Sequence, residues 1–349
     1  MSNLEQQLVQ LIRISVSGTS EPISSKIDWT EMMHYSSDQG VLGVAFGAIE
    51  HLSAEDRPHI DFMMDWMRQI TYLESINKIH KEVISEISTL LQKYDIRMLL
   101  LKGYGLSLFW PKPDSRPIGD IDIYTFGKWE ETDRVICQKL GIKSNTSHHK
   151  HSELNYKGKT IENHYEFLNV HAHRSTAEIE NILHEELNAY PDKEIPNLYY
   201  PSTRFNTLYL LRHSGEHFAS TCMKLRLVLD WAFFVQANTI DWQWLLQTLD
   251  RVGMKQYLAV INAICTRHLG FSSELFPELP VDEALVERSL NDIMHPEVER
   301  EKHSNLLCEI SYRFRRWWKN GWKNQMVFKE NRWLLLLTQM WSHILKPTL

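Results

Sequence analysis

Cysteine is scarce and scattered in this chain: Cys137, Cys222, Cys265 and Cys308 are the only four, and no two form a Cys-x-x-Cys pair. That spacing excludes a zinc ribbon and suits a reducing cytoplasm, which is the expected location. Excess positive charge is also missing. The formal net charge of −6 argues against a surface that is one large electrostatic footprint for nucleic acid. No segment reaches the ~18 consecutive apolar residues of a membrane span, so none is expected. Residues 1–7 carry neither a basic stretch nor a long apolar one, so no signal peptide is expected there. Internal repeats and low-complexity tracts are absent as well. What is present is ordinary for a globular protein: 43% hydrophobic and 23% charged residues, enough for a sizeable core. A length of 349 residues allows two or three domains on a prior of ~100–200 residues each.

The patterning reads as helix, then α/β, then helix. Apolar residues at steps of one, three or four run from Met63 through Trp66, Met67, Ile70, Leu73, Ile76, Ile79, Val83 and Ile87 to Leu90. They predict a long helix over 59–94 whose stripe is core. A helix is expected over 128–140, with Gly141 as its C-terminal cap. Pro191, Pro196 and Pro201 punctuate the passage to a second helical region. The resulting division is 1–95 helical, 96–200 strand-rich and 201–349 helical.

Within the strand-rich part, Gly119-Asp120-Ile121-Asp122-Ile123-Tyr124 places two carboxylates two residues apart in a short strand. Side chains at i and i+2 of a strand share a face, so the two acids should project together while Ile121 and Ile123 enter a core. Adjacent carboxylates repel unless a cation sits between them, and Mg²⁺ takes oxygen ligands. Neutralising either acid should therefore relieve repulsion in the metal-free protein. Upstream, Arg97 to Leu101 reads as a buried strand, followed by the turn Lys102-Gly103-Tyr104-Gly105 and a short helix over 106–110. Such glycines allow backbone N–H groups to approach a phosphate, and a helix start favours negative charge. The loop from Pro111 to Pro117 adds the cations Lys112 and Arg116.

Leu100-Leu101-Lys102-Gly103 and Arg116-Pro117-Ile118-Gly119-Asp120-Ile121-Asp122 resemble the core of the uncharacterised bacterial nucleotidyltransferase family, within the DNA-polymerase-β-like superfamily. The resemblance implies an α+β fold, a nucleotidyltransferase-like mixed sheet with helices, flanked by N- and C-terminal helical regions. It also implies a glycine turn after the first strand, an acid pair on the next and a third acid on a later one. On that pattern Lys102, Gly103, Arg116, Gly119 and His164 would bind nucleotide. Asp120, Asp122 and Glu162 would hold Mg²⁺ or Mn²⁺ and act in catalysis. Glu162 and His164 match the family's acid–x–His on a segment, 159–167, that alternates like a strand throughout. Tyr104 departs from the usual Ser or Gly after the first glycine. The implied substrates are a nucleoside triphosphate such as ATP and an acceptor of unknown kind, whether small molecule, protein or nucleic acid. A degenerate fold serving as a nucleotide-binding or interaction module is the alternative within the family.

Three features compete. His148, His149, His151, His164, His171 and His173 crowd one region and suggest zinc, but strands flanking the site explain the density as substrate contact or surface. His213-Ser214-Gly215-Glu216-His217 matches the H-x-x-E-H pattern of a zinc hydrolase, with only Glu297, Glu299 and Glu301 as candidate third ligands. Arg313-Phe314-Arg315-Arg316-Trp317-Trp318-Lys319, with Trp322, Lys323, Arg332 and Trp333, could track a phosphate backbone or lie at a membrane surface. An amphipathic helix with buried tryptophans is the simpler expectation.

Overall fold

The computed structural model describes all residues except 24, 172, 221–222, 299–305, 329 and 331–349. Cys222, Glu299, Glu301, Arg332 and Trp333 therefore lie outside the described residues. Two compact units divide the chain. One gathers Met1–Thr71, Leu210–Asn238 and Trp242–Glu330; the other holds Tyr72–Tyr209 with Thr239–Asp241. The units thus join the first 71 residues to the later helices, across the chain-order division at 95 and 200.

The chain opens with α1 (Asn3–Ser17), α2 (Trp29–Asp38), α3 (Leu42–Gly47) and the long α4 (Ile60–Gln92). A capping box starts α1: Ser2 Oγ accepts from the Glu5 amide, and Glu5 Oε2 accepts from the Ser2 amide. Strand β1 (Met98–Leu100), helix α5 (Tyr104–Ser107), strand β2 (Ile121–Tyr124) and helix α6 (Trp129–Leu140) follow. Gly141 closes α6 at φ 67°, donating to the Cys137 carbonyl as a left-handed cap should. Then come β3 (Ser144–Asn145), β4 (His151–Tyr156), β5 (Lys159–His164), α7 (Arg174–Glu185), β6 (Ala189–Pro191), β7 (Leu198–Pro201) and α8 (Thr203–Ser220).

The seven strands form one mixed sheet in the order β3-β4-β5-β2-β1-β7-β6. The expected α+β fold with a mixed sheet and flanking helices is therefore the observed one. Strand β2 runs antiparallel to β1 and parallel to β5, so the centre of the sheet carries both arrangements. Ile121, Ile123 and Ile161 from this centre pack into a core with Val83, Ile84, Ile87 and Leu91 of α4 and Val135 and Ile136 of α6. Burying such side chains contributes roughly 1.5–3 kcal/mol each.

Three expectations need correction here. The stripe over 59–94 is not all core: Met67 and Ile79 are exposed, whereas Asn77, His80 and Ser88 are buried. In the sheet unit the buried face of α4 runs 77-80-83-84-87-88-91, and its polar members hold backbone carbonyls that apolar side chains could not satisfy. The proline-punctuated junction contains β6 and β7. Pro191 and Pro201 end these strands, where a missing N–H disturbs little of the ladder, and β6 is an edge. Lastly, the alternation over 159–167 stops at His164, where β5 ends. Beyond it Glu180 takes the Phe167 and Leu168 amides at 2.8 and 2.9 Å, so these donors leave the ladder.

In the helical unit, α9 (Leu225–Ala237), α10 (Trp242–Val252) and α11 (Lys255–Arg267) precede α12 (Glu283–Met294), α13 (Leu306–Lys319) and α14 (Gly321–Val327). Trp231 Nε1 donates to Asn262 Oδ1 at 2.9 Å across this core. On α13, Phe314 and Trp318 are exposed, so the expectation that this helix buries all its tryptophans is not met. Among the described residues no helix is long and apolar enough to cross a membrane.

Candidate active site

Register brings the acids together. In the parallel pair β2–β5, Asp122 lies beside Glu162, and in the antiparallel pair β4–β5, His151 lies opposite His164. Since Glu162 and His164 are two residues apart on one strand, all four side chains reach one face. Asp122 is fully buried, Glu162 is half-buried, and Asp120 sits just before β2 with its side chain at the surface. The acid pair is thus split by environment and by element: Asp122 lies within β2, whereas Asp120 precedes it rather than lying, as expected, inside the strand.

Lys102 follows β1 and returns its ammonium to the acids, with Nζ 3.0 Å from Asp122 Oδ1. His164 Nε2 is 3.0 Å from the same oxygen and 3.4 Å from Glu162 Oε2. Burial alone would raise the Asp122 carboxyl, but Lys102 and the hydrogen bond with His164 hold it well below the usual carboxylate range. Burial opposes charge on Lys102 too, and Asp122, Glu162 and Asp120 together keep its pKa above the ordinary value. Asp120 moves the other way. Partial desolvation and the charges of Glu162 and Asp122 raise it, against the pull of Lys102.

The glycine turn meets the acids through the backbone. Gly103 has φ 57°, and a Cβ there would lie 3.1 Å from the Asp120 carbonyl oxygen, so only glycine fits. Gly119 has nothing within 4 Å of a Cβ position, which leaves its backbone open to approach. Tyr104, the departure from the usual small residue, packs against the core of the sheet unit, as does Tyr200. Arg116 is buried, donates from Nη1 to the Pro117 carbonyl at 3.0 Å and sits 6.0 Å from the Trp110 ring centroid.

Two residues of this region escape sequence reasoning. Asn77 Nδ2 donates to the Asp114 and Arg116 carbonyls, both at 2.7 Å. His80 Nε2 lies 3.0 Å from the Gly119 carbonyl, and burial lowers its pKa against two carbonyls that raise it. Both side chains interrupt the apolar face of α4 at i and i+3, which was the available signal.

The histidine cluster divides. His151 is buried and stacks on His148 with ring centroids 4.0 Å apart. Burial, helped by the charges of His164, His148 and Lys150, lowers its pKa to about 2, and burial brings His149 to about 4. His151, Glu162 and His164 offer three donor atoms within 4.8 Å of one another.

On α8, His213 and His217 lie 4.7 Å apart ring to ring, but the Glu216 carboxylate is bound by Arg212 Nε at 3.0 Å. Among the described residues they join no group of three metal donors, and the candidate third ligands Glu299 and Glu301 lie outside the described residues. Gly215 is explained by packing: a Cβ would meet Val327 at 3.1 Å and Met254 at 3.3 Å.

The family described as uncharacterised nucleotidyltransferase matches residues 25–270, more than two thirds of the chain. The chain belongs to that family. No curated protein and no solved structure matches it. Membership in this nucleotidyltransferase family supports a role in nucleotidyl transfer and a nucleotide as substrate. The acid-bearing strands, the glycine turn and the basic loop all fall inside the matched residues.

Proposed function

We propose that the protein transfers a nucleoside monophosphate from a nucleoside triphosphate to an acceptor hydroxyl. The acceptor oxygen forms a bond to the α-phosphorus, the bond from that phosphorus to the bridging oxygen breaks, and pyrophosphate leaves. The observation behind this reading is the side-by-side placement of Asp122 and Glu162, with Asp120 at the mouth and one ammonium facing three carboxylates. This oxygen-rich set fits a divalent cation, Mg²⁺ or Mn²⁺, held by Asp120, Asp122 and Glu162. Such an ion, when bound, offsets phosphate charge and makes a hydroxyl more acidic.

The chain's own groups divide the remaining work. Lys102 supplies a cation at the floor of the site, within reach of phosphate oxygens. Gly103 and Gly119 let the backbone come close to the triphosphate. Arg116 orders the basic loop from beneath. His164 orients the Asp122 carboxylate and fixes its charge. Glu162 stands where it can accept the acceptor's proton.

Thermal melts of wild type, Asp120→Asn and Asp122→Asn with each triphosphate, with and without Mg²⁺, test the proposal. Wild type should gain stability from Mg²⁺ with a triphosphate, both variants should lose that gain, and transfer of radiolabel should drop by orders of magnitude. A gain retained by both variants would remove the site from these strands. A wild type that responds to no triphosphate would favour a fold serving as an interaction module.

A further inference from the structure

The nitrogen donors beside the acids are not accounted for by a magnesium site. His164 Nδ1 faces the Glu166 carbonyl at 3.1 Å, an oxygen that can only accept, so Nδ1 carries the ring proton. Its Nε2 then points between two carboxylate oxygens, Asp122 Oδ1 at 3.0 Å and Glu162 Oε2 at 3.4 Å. Facing two carboxylate oxygens, Nε2 either carries a second proton, as in the metal-free hydrogen bond to Asp122, or meets a cation that takes that proton's place. A histidine whose other N–H is fixed by a backbone carbonyl is the usual arrangement for a metal ligand.

His151 supplies an independent sign. The residue is only 5% exposed, and its Nδ1 is buried without a hydrogen bond. That nitrogen lies 3.3 Å from Glu162 Oε2, near enough to share an ion but not bonded to the oxygen. On the opposite side of the ring, Nε2 is 3.7 Å from Glu153 Oε1, a carboxylate whose charge favours the ring's proton on that side. Two donors each ~2.1 Å from one ion lie at most ~4.2 Å apart, and the 3.3 and 3.4 Å separations to Glu162 fall inside that limit.

We propose that His151, Glu162 and His164 bind one divalent transition-metal ion of the Zn²⁺, Fe²⁺ or Co²⁺ class in preference to Mg²⁺. Imidazole nitrogen favours these ions, whereas Mg²⁺ keeps to oxygen and water. The register builds the set: His151 and His164 are cross-strand partners, and Glu162 stands two residues before His164 on the same face. Asp122 borders it and can add a fourth donor oxygen. Three protein donors leave a further coordination position for water or a substrate oxygen. The inference goes beyond the transfer reading, with which it shares Glu162, because it needs no nucleotide.

Co²⁺ is the probe. The full-length, metal-stripped protein is titrated with CoCl₂ without nucleotide, followed by visible absorption and calorimetry. Wild type should bind one Co²⁺ per chain with ligand-field bands, Zn²⁺ should displace it, and a large excess of Mg²⁺ should not. His151→Asn and Glu162→Gln should each weaken Co²⁺ binding by about tenfold or more. Absence of stoichiometric Co²⁺ binding by wild type overturns the site, and this result needs no variant to fold. Unchanged affinity in a folded His151→Asn protein also overturns it. The Mg²⁺–triphosphate melt on the same preparation separates the two readings. Co²⁺ bound with no triphosphate response upholds this site and removes the transfer reading; the reverse removes this site alone.

Discussion

In the helical unit, Lys323 Nζ lies 2.6 Å from Asp292 Oδ2, with both side chains sealed from water. In the sheet unit, Lys102 Nζ lies 3.0 Å from Asp122 Oδ1, with 19% of the lysine side chain still exposed. The chemistry is the same, but the surroundings differ. Asp292 has its other oxygen taken by the Glu297 amide at 3.0 Å, and Lys323 rests over the rings of Phe218 and Trp322. Both Asp292 oxygens are thus bonded, and the pair lies sealed from water. Around Lys102 stand Asp122, Glu162 and Asp120, so a single ammonium faces a surplus of negative charge. A closed pair is structure; a pair with surplus negative charge has room for a cation, which is what the proposed site requires.

The largest effect should come from the closed pair. Lys323→Met would leave Asp292 buried without a counterion, and urea unfolding should show a loss of about 3–5 kcal/mol. The double change Lys323→Met with Asp292→Leu should recover most of it. A single variant as stable as wild type would break the contrast from the structural side.

Lys102→Met should cost less, about 1–3 kcal/mol, because His164 still faces Asp122 and the site reaches water. The same variant should lose much of the Mg²⁺–triphosphate stabilisation, which Lys323→Met, if folded, should keep. Calorimetry with Mg²⁺ and ATP on both variants makes the comparison.

The smallest effect concerns Asp120. Asp120→Asn should change stability by no more than about 0.5 kcal/mol, in the stabilising direction, in metal-free buffer at neutral pH. Folding raises the Asp120 pKa, so the folded protein binds that proton more tightly than the unfolded chain. The resulting cost is absent below the ordinary carboxylate range and complete above the raised value, so stability falls as pH rises through that window. Melts across that range should show a shallower fall in the variant, and superimposable profiles would remove Asp120 from the cluster. Asp122 obeys the opposite rule, since its pKa is lowered. The simple expectation that neutralising either acid relieves repulsion therefore applies to Asp120 alone.

The candidate site was legible where its information is local. The Asp-x-Asp of Asp120 and Asp122, the Gly103 turn and the acid–x–His of Glu162 and His164 are all short patterns with family precedent. The central strands and the long helix follow from periodicity, which depends on near neighbours. What stayed hidden depends on distant partners. Nothing near Asn77 or His80 shows that their hydrogen bonds end on carbonyls 37 to 39 residues away. Strands β6 and β7 are three and four residues long and contain prolines, so their pairing with the sheet, not their composition, makes them strands. His151 reads as surface until register sets it opposite His164.

The loop between α5 and β2 has one short 3₁₀ turn, Pro113–Ser115, and otherwise no regular structure, yet Asn77 and His80 clamp it at Asp114, Arg116 and Gly119. Its backbone freedom is therefore given up when the chain folds, not when a ligand arrives. Ordering a residue at binding would cost about 1–2 kcal/mol each, and a loop of this kind avoids that loss in the complex. An irregular segment held this way should behave toward a ligand as a rigid wall, with affinity set by contacts and not by disorder given up on contact.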